Sequence, residues 1–137
     1  MKKIIFILLF IGLLIGIFIF LDQKTRVVID NDTGLVWEDS LPLSPKNWNQ
    51  AKKYCNNLTL DGYNNWRLPH IDELMSISDK SKYKPAIKDI FRYTRWKGYW
   101  SSTKYKNDAS QSWVVLFYYG FGYWDYLSDS YFVRCVQ

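Results

Sequence analysis

The sequence predicts an α+β domain with two helices and an antiparallel sheet, preceded by one N-terminal transmembrane helix. The first observation is an uninterrupted apolar stretch near the N-terminus. The second is the order of the elements after it, namely a β-hairpin, two helices and a β-meander. The third is composition. A content of 48% hydrophobic residues, with seven Trp, eleven Tyr and eight Phe in 137 residues, excludes a disordered chain.

The apolar stretch covers residues 4–21 and contains no charged or polar side chain. Eighteen residues at 1.5 Å each span about 27 Å, close to the hydrocarbon thickness of a bilayer. A cleaved signal peptide needs small residues just after such a stretch, and the first Ala of this chain is Ala51. The pattern therefore favours an uncleaved signal anchor, with a cleaved signal peptide as the alternative.

The charges around residues 4–21 predict the orientation of the protein in the membrane. Lys2 and Lys3 precede the apolar stretch, so the positive-inside rule places the N-terminus in the cytoplasm. We expect a single-pass protein of the cytoplasmic (inner) membrane with residues 22–137 outside the cytoplasm, in a periplasmic or extracellular space.

The chain divides into three parts on this interpretation: an anchor (1–21), a short linker (22–25) and one domain (26–137). Within the anchor, Gly12 and Gly16 form a G-x-x-x-G pattern that lets two membrane helices approach closely and form a homodimer. Glycine is also common in membrane helices that do not dimerise.

The domain shows three kinds of local signal. Alternating β-branched and aromatic residues predict strands, Ser44 before Pro45 predicts the start of a first helix, and acidic residues after Pro69 predict a second. The predicted strands are 26–30, 35–38, 99–103, 112–118, 122–126 and 131–136, and the predicted helices are 45–58 and 70–78. The first and last strands are expected to lie in the sheet together.

The two cysteines, Cys55 and Cys135, are 80 residues apart. Outside the cytoplasm two such thiols usually form a disulfide. A metal site with His70, the single histidine, is a weaker alternative because the spacing matches no known site, and a catalytic Cys–His pair is weaker because a disulfide accounts for both thiols. The net charge of +5 comes from scattered Lys and Arg, so nucleic acid is not an expected partner.

Several short motifs in the domain belong together. They are residues 33–38, Ala51 with Tyr54 and Cys55, residues 66–69 with Glu73 and Leu74, residues 99–103, and residues 133–136. In this order they resemble the C-terminal domain family named after the Legionella collagen-like protein, over residues 26–137.

This family is grouped with C-type-lectin-like folds. The resemblance implies two helices packed on a twisted antiparallel sheet, terminal strands side by side, and a disulfide from the first helix to the last strand. We expect Trp37, Trp66 and Trp100 to be fold determinants at the junctions of sheet and helices. Arg67 is expected to pair with an acidic residue such as Glu73.

The candidate ligand site lies in residues 117–126, where seven of ten residues are aromatic. A strand buries about half of its side chains, so part of this set should be exposed. The candidate ligand-binding residues are Tyr118, Tyr119, Tyr123, Trp124, Asp125 and Tyr126. Such residues suit sugar rings or a protein partner, and a cross-strand aromatic ladder is the structural alternative.

Loop carboxylates at Asp108, Asp125 and Asp129 could bind Ca²⁺, but the signatures of calcium-dependent sugar binders are absent, so we expect no cofactor. No Ser/His/Asp set, carboxylate pair or phosphate loop appears, and we expect no enzyme activity. The sequence thus predicts a membrane-anchored, extracytoplasmic ligand-binding module for a glycan or cell-surface ligand. The alternative is a structural or assembly protein of the cell envelope that binds a protein partner.

Overall fold

The computed structural model describes residues 25–42 and 44–137. The predicted anchor at 4–21, and with it the Gly12/Gly16 dimer prediction, lies outside these residues. Among the helices of the described ranges, none has the length and apolarity needed to cross a membrane. The described chain is α+β with two helices, as predicted, but its strands form two antiparallel sheets instead of the expected single sheet, because the first two strands pair with each other and not with the last three.

The domain begins with a hairpin of β1 (Val27–Ile29) and β2 (Val36–Glu38). The turn between them closes on Asp30, whose carbonyl accepts the N–H of Gly34 at 2.7 Å. Gly34 adopts φ +74°, a conformation that glycine reaches without steric cost. The predicted hairpin is therefore confirmed, with shorter strands.

Helix α1 (Trp48–Asn56) starts three residues later than predicted. Asn47, rather than Ser44, is the N-cap: its side chain accepts the N–H of Gln50 at 2.9 Å, and the Gln50 side chain accepts the N–H of Asn47 at 3.1 Å. Residues 44–46 cannot join the helix because Lys46 pairs with Tyr131 through two backbone hydrogen bonds. This tertiary pairing overrides the local Ser-Pro signal.

Helix α2 (Ile71–Ser76) is shorter at both ends than the predicted 70–78. His70 is its N-cap residue, and its N–H donates to the Glu73 carboxylate at 2.7 Å. The helix stops because Ser78 forms a β-bridge with Ile87 instead of another helical turn.

The larger sheet has the order β3 (Gly98–Tyr105), β4 (Asp108–Leu116) and β5 (Phe121–Tyr126). All pairs are antiparallel, as predicted for the meander. The predicted strand at 131–136 is wrong as a regular strand. Instead, Tyr131, Phe132 and Val136 form isolated bridges to Lys46, Tyr99, Trp37 and Arg67, because this segment crosses between the two sheets.

Two hydrophobic cores flank the larger sheet. The first core contains Leu74 of α2 together with Trp37 of β2. The second core contains Trp48 of α1 together with Trp66 and Trp100. Trp37, Trp66 and Trp100 are all buried, which agrees with their expected role in the fold.

The disulfide between Cys55 and Cys135 joins α1 to the C-terminal segment inside the second core. This confirms the expected pairing. Arg67 and Glu73 form the expected ion pair, with two hydrogen bonds of 2.8 and 2.7 Å. The pair holds the start of α2 against the extended segment before it.

Candidate ligand-binding site

The six predicted ligand residues do not form one surface. They divide into three groups because β5 alternates its side chains between the two faces of the sheet and the β4–β5 turn lies beyond its end. The groups are Tyr118 with Tyr119, Trp124 with Tyr126, and Tyr123 with Asp125.

Tyr118 and Tyr119 belong to an aromatic cluster at the β4–β5 turn with Tyr83 and Trp96. The phenol oxygens of Tyr83 and Tyr118 are 2.7 Å apart. This hydrogen bond, with a smaller contribution from desolvation, raises the pKa of Tyr118 to about 12. The Lys84 ammonium lies 4.6 Å from the centroid of the Trp96 ring, so the cluster combines exposed rings with positive charge.

Trp124 lies on the same face of the sheet as Gly122, where Ile71 of α2 packs. Its ring stacks on Tyr105 with centroids 4.4 Å apart and planes 3° apart, and it meets Trp113 edge-on. Tyr126 follows on the same face and is exposed. This group is in part the cross-strand aromatic ladder that the sequence offered as an alternative.

Tyr123 and Asp125 lie on the opposite face, and Tyr123 packs against the hydrophobic core that contains residues of α1. Tyr123 meets Tyr131 edge-on, with centroids 6.1 Å apart. The Tyr131 phenol donates a hydrogen bond to the Asp125 carboxylate. The sequence therefore predicted two residues of this group, and Tyr131 completes it from the C-terminal segment.

A groove of about 350 Å³ opens beside these tyrosines. Aromatic rings and polar groups line it together. Its lining residues are Pro45, Lys97, Gly98, Leu116, Tyr123, Ser130, Tyr131 and Phe132. A depression of about 280 Å³, lined by Arg95 and Trp96, adjoins the groove through the shared Lys97 and Phe132. The volume of the groove suits a small ligand or one or two sugar rings.

Gly98 gives the groove its shape. A Cβ atom at this position would lie 2.5 Å from Cδ1 of Tyr131 and 2.8 Å from Cγ1 of Val114. The Tyr131 ring therefore lies directly on the backbone of β3, which only a residue without a side chain permits.

The pKa values of Asp125 and Asp129, near the groove, are shifted in opposite directions. Desolvation raises the pKa of Asp125, but hydrogen bonds from Tyr131 and from the Tyr126 N–H outweigh it and leave the pKa below its ordinary range. Asp125 in turn raises the pKa of the neighbouring Asp129. Burial and the bond to Asp125 raise the pKa of the Tyr131 phenol, which stays a proton donor.

The three aspartates considered for Ca²⁺ are not one group. Asp108 binds the Ser110 N–H and hydroxyl at 2.9 and 2.6 Å within its own turn. Within residues 25–42 and 44–137, no three His, Cys, Asp or Glu side chains cluster as metal ligands would. His70, the single histidine, has its Nδ1 3.2 Å from the Ser102 hydroxyl at the start of α2.

The groove residues outside 117–126 were not predicted as ligand-binding residues. Lys97 follows Arg92 and Arg95 in a segment of scattered basic residues, and Phe132 lies in a predicted strand, so neither has a local pattern that indicates a site. Only the pairing of Phe132 with the start of β3 brings these segments together.

A comparison with protein families supports the resemblance found in the motifs. The sequence model of the Lcl C-terminal domain matches residues 26–137, the whole of the structured domain. The chain therefore belongs to the Lcl C-terminal domain family. No curated protein matches the chain.

Proposed function

We propose that this protein is a membrane-anchored, extracytoplasmic binding module whose groove beside Tyr123 and Tyr131 binds a glycan of the cell surface. The observation that carries the proposal is the groove itself: aromatic walls lie beside hydrogen-bonding groups, in a volume that fits one or two sugar rings. Tyr rings pack on the apolar faces of sugars, while Ser130 and Lys97 bind hydroxyls.

The groove is held ready for a ligand. Tyr131 is fixed on one side by the backbone of Gly98 and on the other by its hydrogen bond to Asp125. Tyr123 packs against the same ring. A ligand that binds rings already in place loses less conformational entropy than one that must order them.

A glycan array, probed with the full-length protein in detergent, tests this proposal. Tyr123→Ala should weaken binding to any retained glycan at least about tenfold, which corresponds to about 1.4 kcal/mol. Tyr119→Ala is the matched control because Tyr119 is an exposed tyrosine at the turn, outside the groove. Equal binding by wild type and Tyr123→Ala would refute the site, and a loss in Tyr119→Ala but not in Tyr123→Ala would point to the turn cluster.

We propose further that the domain is C-type-lectin-like. The C-terminal segment of such a domain lies beside its N-terminal hairpin, and here the Val36 N–H of β2 binds the Gln137 carbonyl at 3.0 Å. Helices on both sides of the sheet and the disulfide from α1 to the C-terminal segment support the same assignment. Superposition of both helices and the sheet on lectin-like domains tests it, and a different strand order would exclude it.

The proposed location is the outer side of the cytoplasmic membrane, with residues 4–21 as the anchor. The apolar length of this segment and the disulfide, which needs an oxidising compartment, support this location. Protease added to intact cells after removal of any outer membrane should digest the domain. Protection of the domain would contradict the orientation.

The aromatic cluster at the β4–β5 turn supports a second function, the binding of an envelope protein. Tyr83 and Tyr119 are 62% and 53% exposed, and Tyr and Trp are enriched where proteins meet. Crosslinking in native membranes distinguishes the two functions. A stoichiometric protein partner lost in Tyr83→Ala, with no glycan bound by the wild type, would favour this second function.

Binding is proposed to occur without calcium and without chemical turnover. The array repeated with EDTA tests the first point, since calcium-dependent binding would disappear. Mass spectrometry of the bound glycan after long incubation tests the second, and a cleaved product lost in His70→Ala would overturn it.

A further inference from the structure

The outer edge of β5 presents backbone groups that the described chain leaves unused. The Leu127 N–H donates to the Ser110 carbonyl at 2.9 Å, and this bond fixes which residues of β5 face β4. By this alternation, Gly122 and Trp124 direct their N–H and C=O groups away from the sheet. Within residues 25–42 and 44–137 these four groups have no hydrogen-bond partner.

Proteins usually protect such an edge with bulges, Pro or charged side chains, and the one charged side chain of β5, Asp125, is hydrogen-bonded to Tyr131. The six consecutive pairs of β5 with β4 show no bulge, and the strand Phe121–Tyr126 contains no Lys and no Pro. Trp124 and Tyr126 are 43% and 53% exposed beside it. An edge that is regular, aromatic and unprotected is a template for another strand.

We propose that two copies of this chain join their β5 edges in antiparallel orientation around a two-fold axis at Tyr123. In this register Gly122 of each copy lies opposite Trp124 of the other, and the four unused backbone groups of each copy are satisfied. The strand is complementary to itself here because Gly122 has no side chain. The Trp124 ring of the second copy can therefore cover it.

The contacts of Gly122 are compatible with this arrangement. The three nearest neighbours of a Cβ atom built on Gly122 would be Ile71, Trp113 and Val114, all at 3.6 Å, an ordinary contact distance, so these residues pack beside the glycine without crowding it. Aromatic rings that cover a glycine across neighbouring strands are a known means of stabilising such positions.

The distribution of charge selects the antiparallel orientation. Asp125 and Asp129 lie at the C-terminal end of β5, whereas Lys84 lies at the other end, where its N–H binds the Tyr118 carbonyl at 3.2 Å. Antiparallel pairing brings the acidic end of one copy towards the lysine of the other. Parallel pairing would place like charges together.

This dimer has a consequence for ligand binding, which rests on the proposed function of the groove. A two-fold axis perpendicular to the sheet places both grooves on the same side, so the dimer would bind a repeating polymer at two points. The gain in avidity from two linked sites can exceed the affinity of either site alone by about 10²–10⁴. The pairing itself needs no ligand.

Disulfide trapping of the full-length protein in membranes tests the register. In the proposed dimer the two Tyr123 residues face each other as a non-hydrogen-bonded pair, with Cβ atoms about 4.5–5.5 Å apart. Tyr123→Cys should therefore give a covalent dimer on air oxidation. Phe121→Cys is the matched control on the same strand and face, because its two copies would lie about 13 Å apart, too far for a bridge.

Each outcome decides the proposal. A dimer in which mass spectrometry maps a 123–123 bridge, with at least tenfold less dimer from Phe121→Cys, supports it. Equal trapping at both positions indicates random collision and overturns it, as does the absence of any dimer from Tyr123→Cys with the native Cys55–Cys135 bridge intact. Both Cys variants are also made in a protein that carries Gly12→Leu and Gly16→Leu, which removes any dimerisation through the predicted membrane helix. Tyr123→Cys should still give more covalent dimer than Phe121→Cys in that protein.

Discussion

Tyr131 lies on the backbone of Gly98 so closely that a Cβ atom there would be 2.5 Å from its ring. The contact joins the start of β3 to the C-terminal segment, and the same ring forms a wall of the groove. One glycine thus determines both the packing of the C-terminal segment and the shape of the candidate site.

The first prediction concerns this contact. Gly98→Ala should lower the free energy of unfolding by about 1–3 kcal/mol, the usual cost of adding a methyl group to a filled position. Because the Tyr131 ring must move, glycan binding should also fall. Urea unfolding and the glycan array measure the two effects.

Gly122→Ala is the control for this prediction, since its Cβ would meet its neighbours at 3.6 Å, an ordinary contact distance. Its effect on stability should stay below about 1 kcal/mol. Equal stability of Gly98→Ala and wild type would show that Tyr131 moves freely and does not form a fixed wall.

The second prediction concerns the disulfide. Replacing Cys55 and Cys135 together by Ser opens a loop of 80 residues and should cost about 2–5 kcal/mol. The loss should appear in urea unfolding, and reduction of the wild-type protein should reproduce it. A double variant as stable as the oxidised wild type would mean that the packing of α1 alone holds the C-terminal segment.

Local patterns in the sequence were sufficient to predict the hairpin, both helices and the meander. The pairing of Cys55 with Cys135 and of Arg67 with Glu73 also followed from residue chemistry. The start of α1 was wrong because Lys46 pairs with Tyr131, a contact across 85 residues that a local Ser-Pro signal cannot show.

The candidate site was only partly predictable for the same reason. Strand alternation indicated that part of 117–126 is exposed, but the side of the sheet on which each ring lies depends on register. Tyr123 and Tyr131 meet because residue 132 pairs with β3, and nothing in the local sequence fixes that pairing.

The third prediction concerns the buried charges of Asp39 and Arg134. The Arg134 guanidinium lies 3.3 Å from the Asp39 carboxylate, and their side chains are 2% and 4% exposed. Asp39 also accepts the N–H groups of Arg92 and Tyr93 at 3.1–3.2 Å. Asp39→Ala should cost about 3–5 kcal/mol, because it leaves a buried charge without its partner.

The matched control for Asp39→Ala is Asp32→Ala. Asp32 also forms an ion pair, with Lys88 at 2.7 Å, but its side chain is 78% exposed. Removing an exposed partner should cost about 0–1 kcal/mol. Similar losses in the two variants, measured by urea unfolding, would contradict the view that burial gives the Asp39 pair its importance.

The last prediction concerns acid stability and Glu73. Hydrogen bonds from Arg67, followed by the His70 N–H, hold the pKa of the Glu73 carboxyl below its usual range. Because the folded-state pKa is below the unfolded value of about 4.3, the stabilisation is complete above roughly pH 5 and is lost as the pH falls towards the folded-state pKa. Glu73→Gln removes this titration but keeps an acceptor for the His70 N–H.

The free energy of unfolding, measured in urea from pH 7 to pH 3, should therefore fall more steeply for the wild type than for Glu73→Gln. Other carboxylates with lowered pKa values, such as Asp30 and Asp61, contribute equally to both proteins, so the difference between the curves isolates Glu73. Parallel curves would show that the Arg67–Glu73 pair does not stabilise the folded state. A difference that closes as the pH falls assigns the stability to this pair, which holds α2 against the extended segment before it.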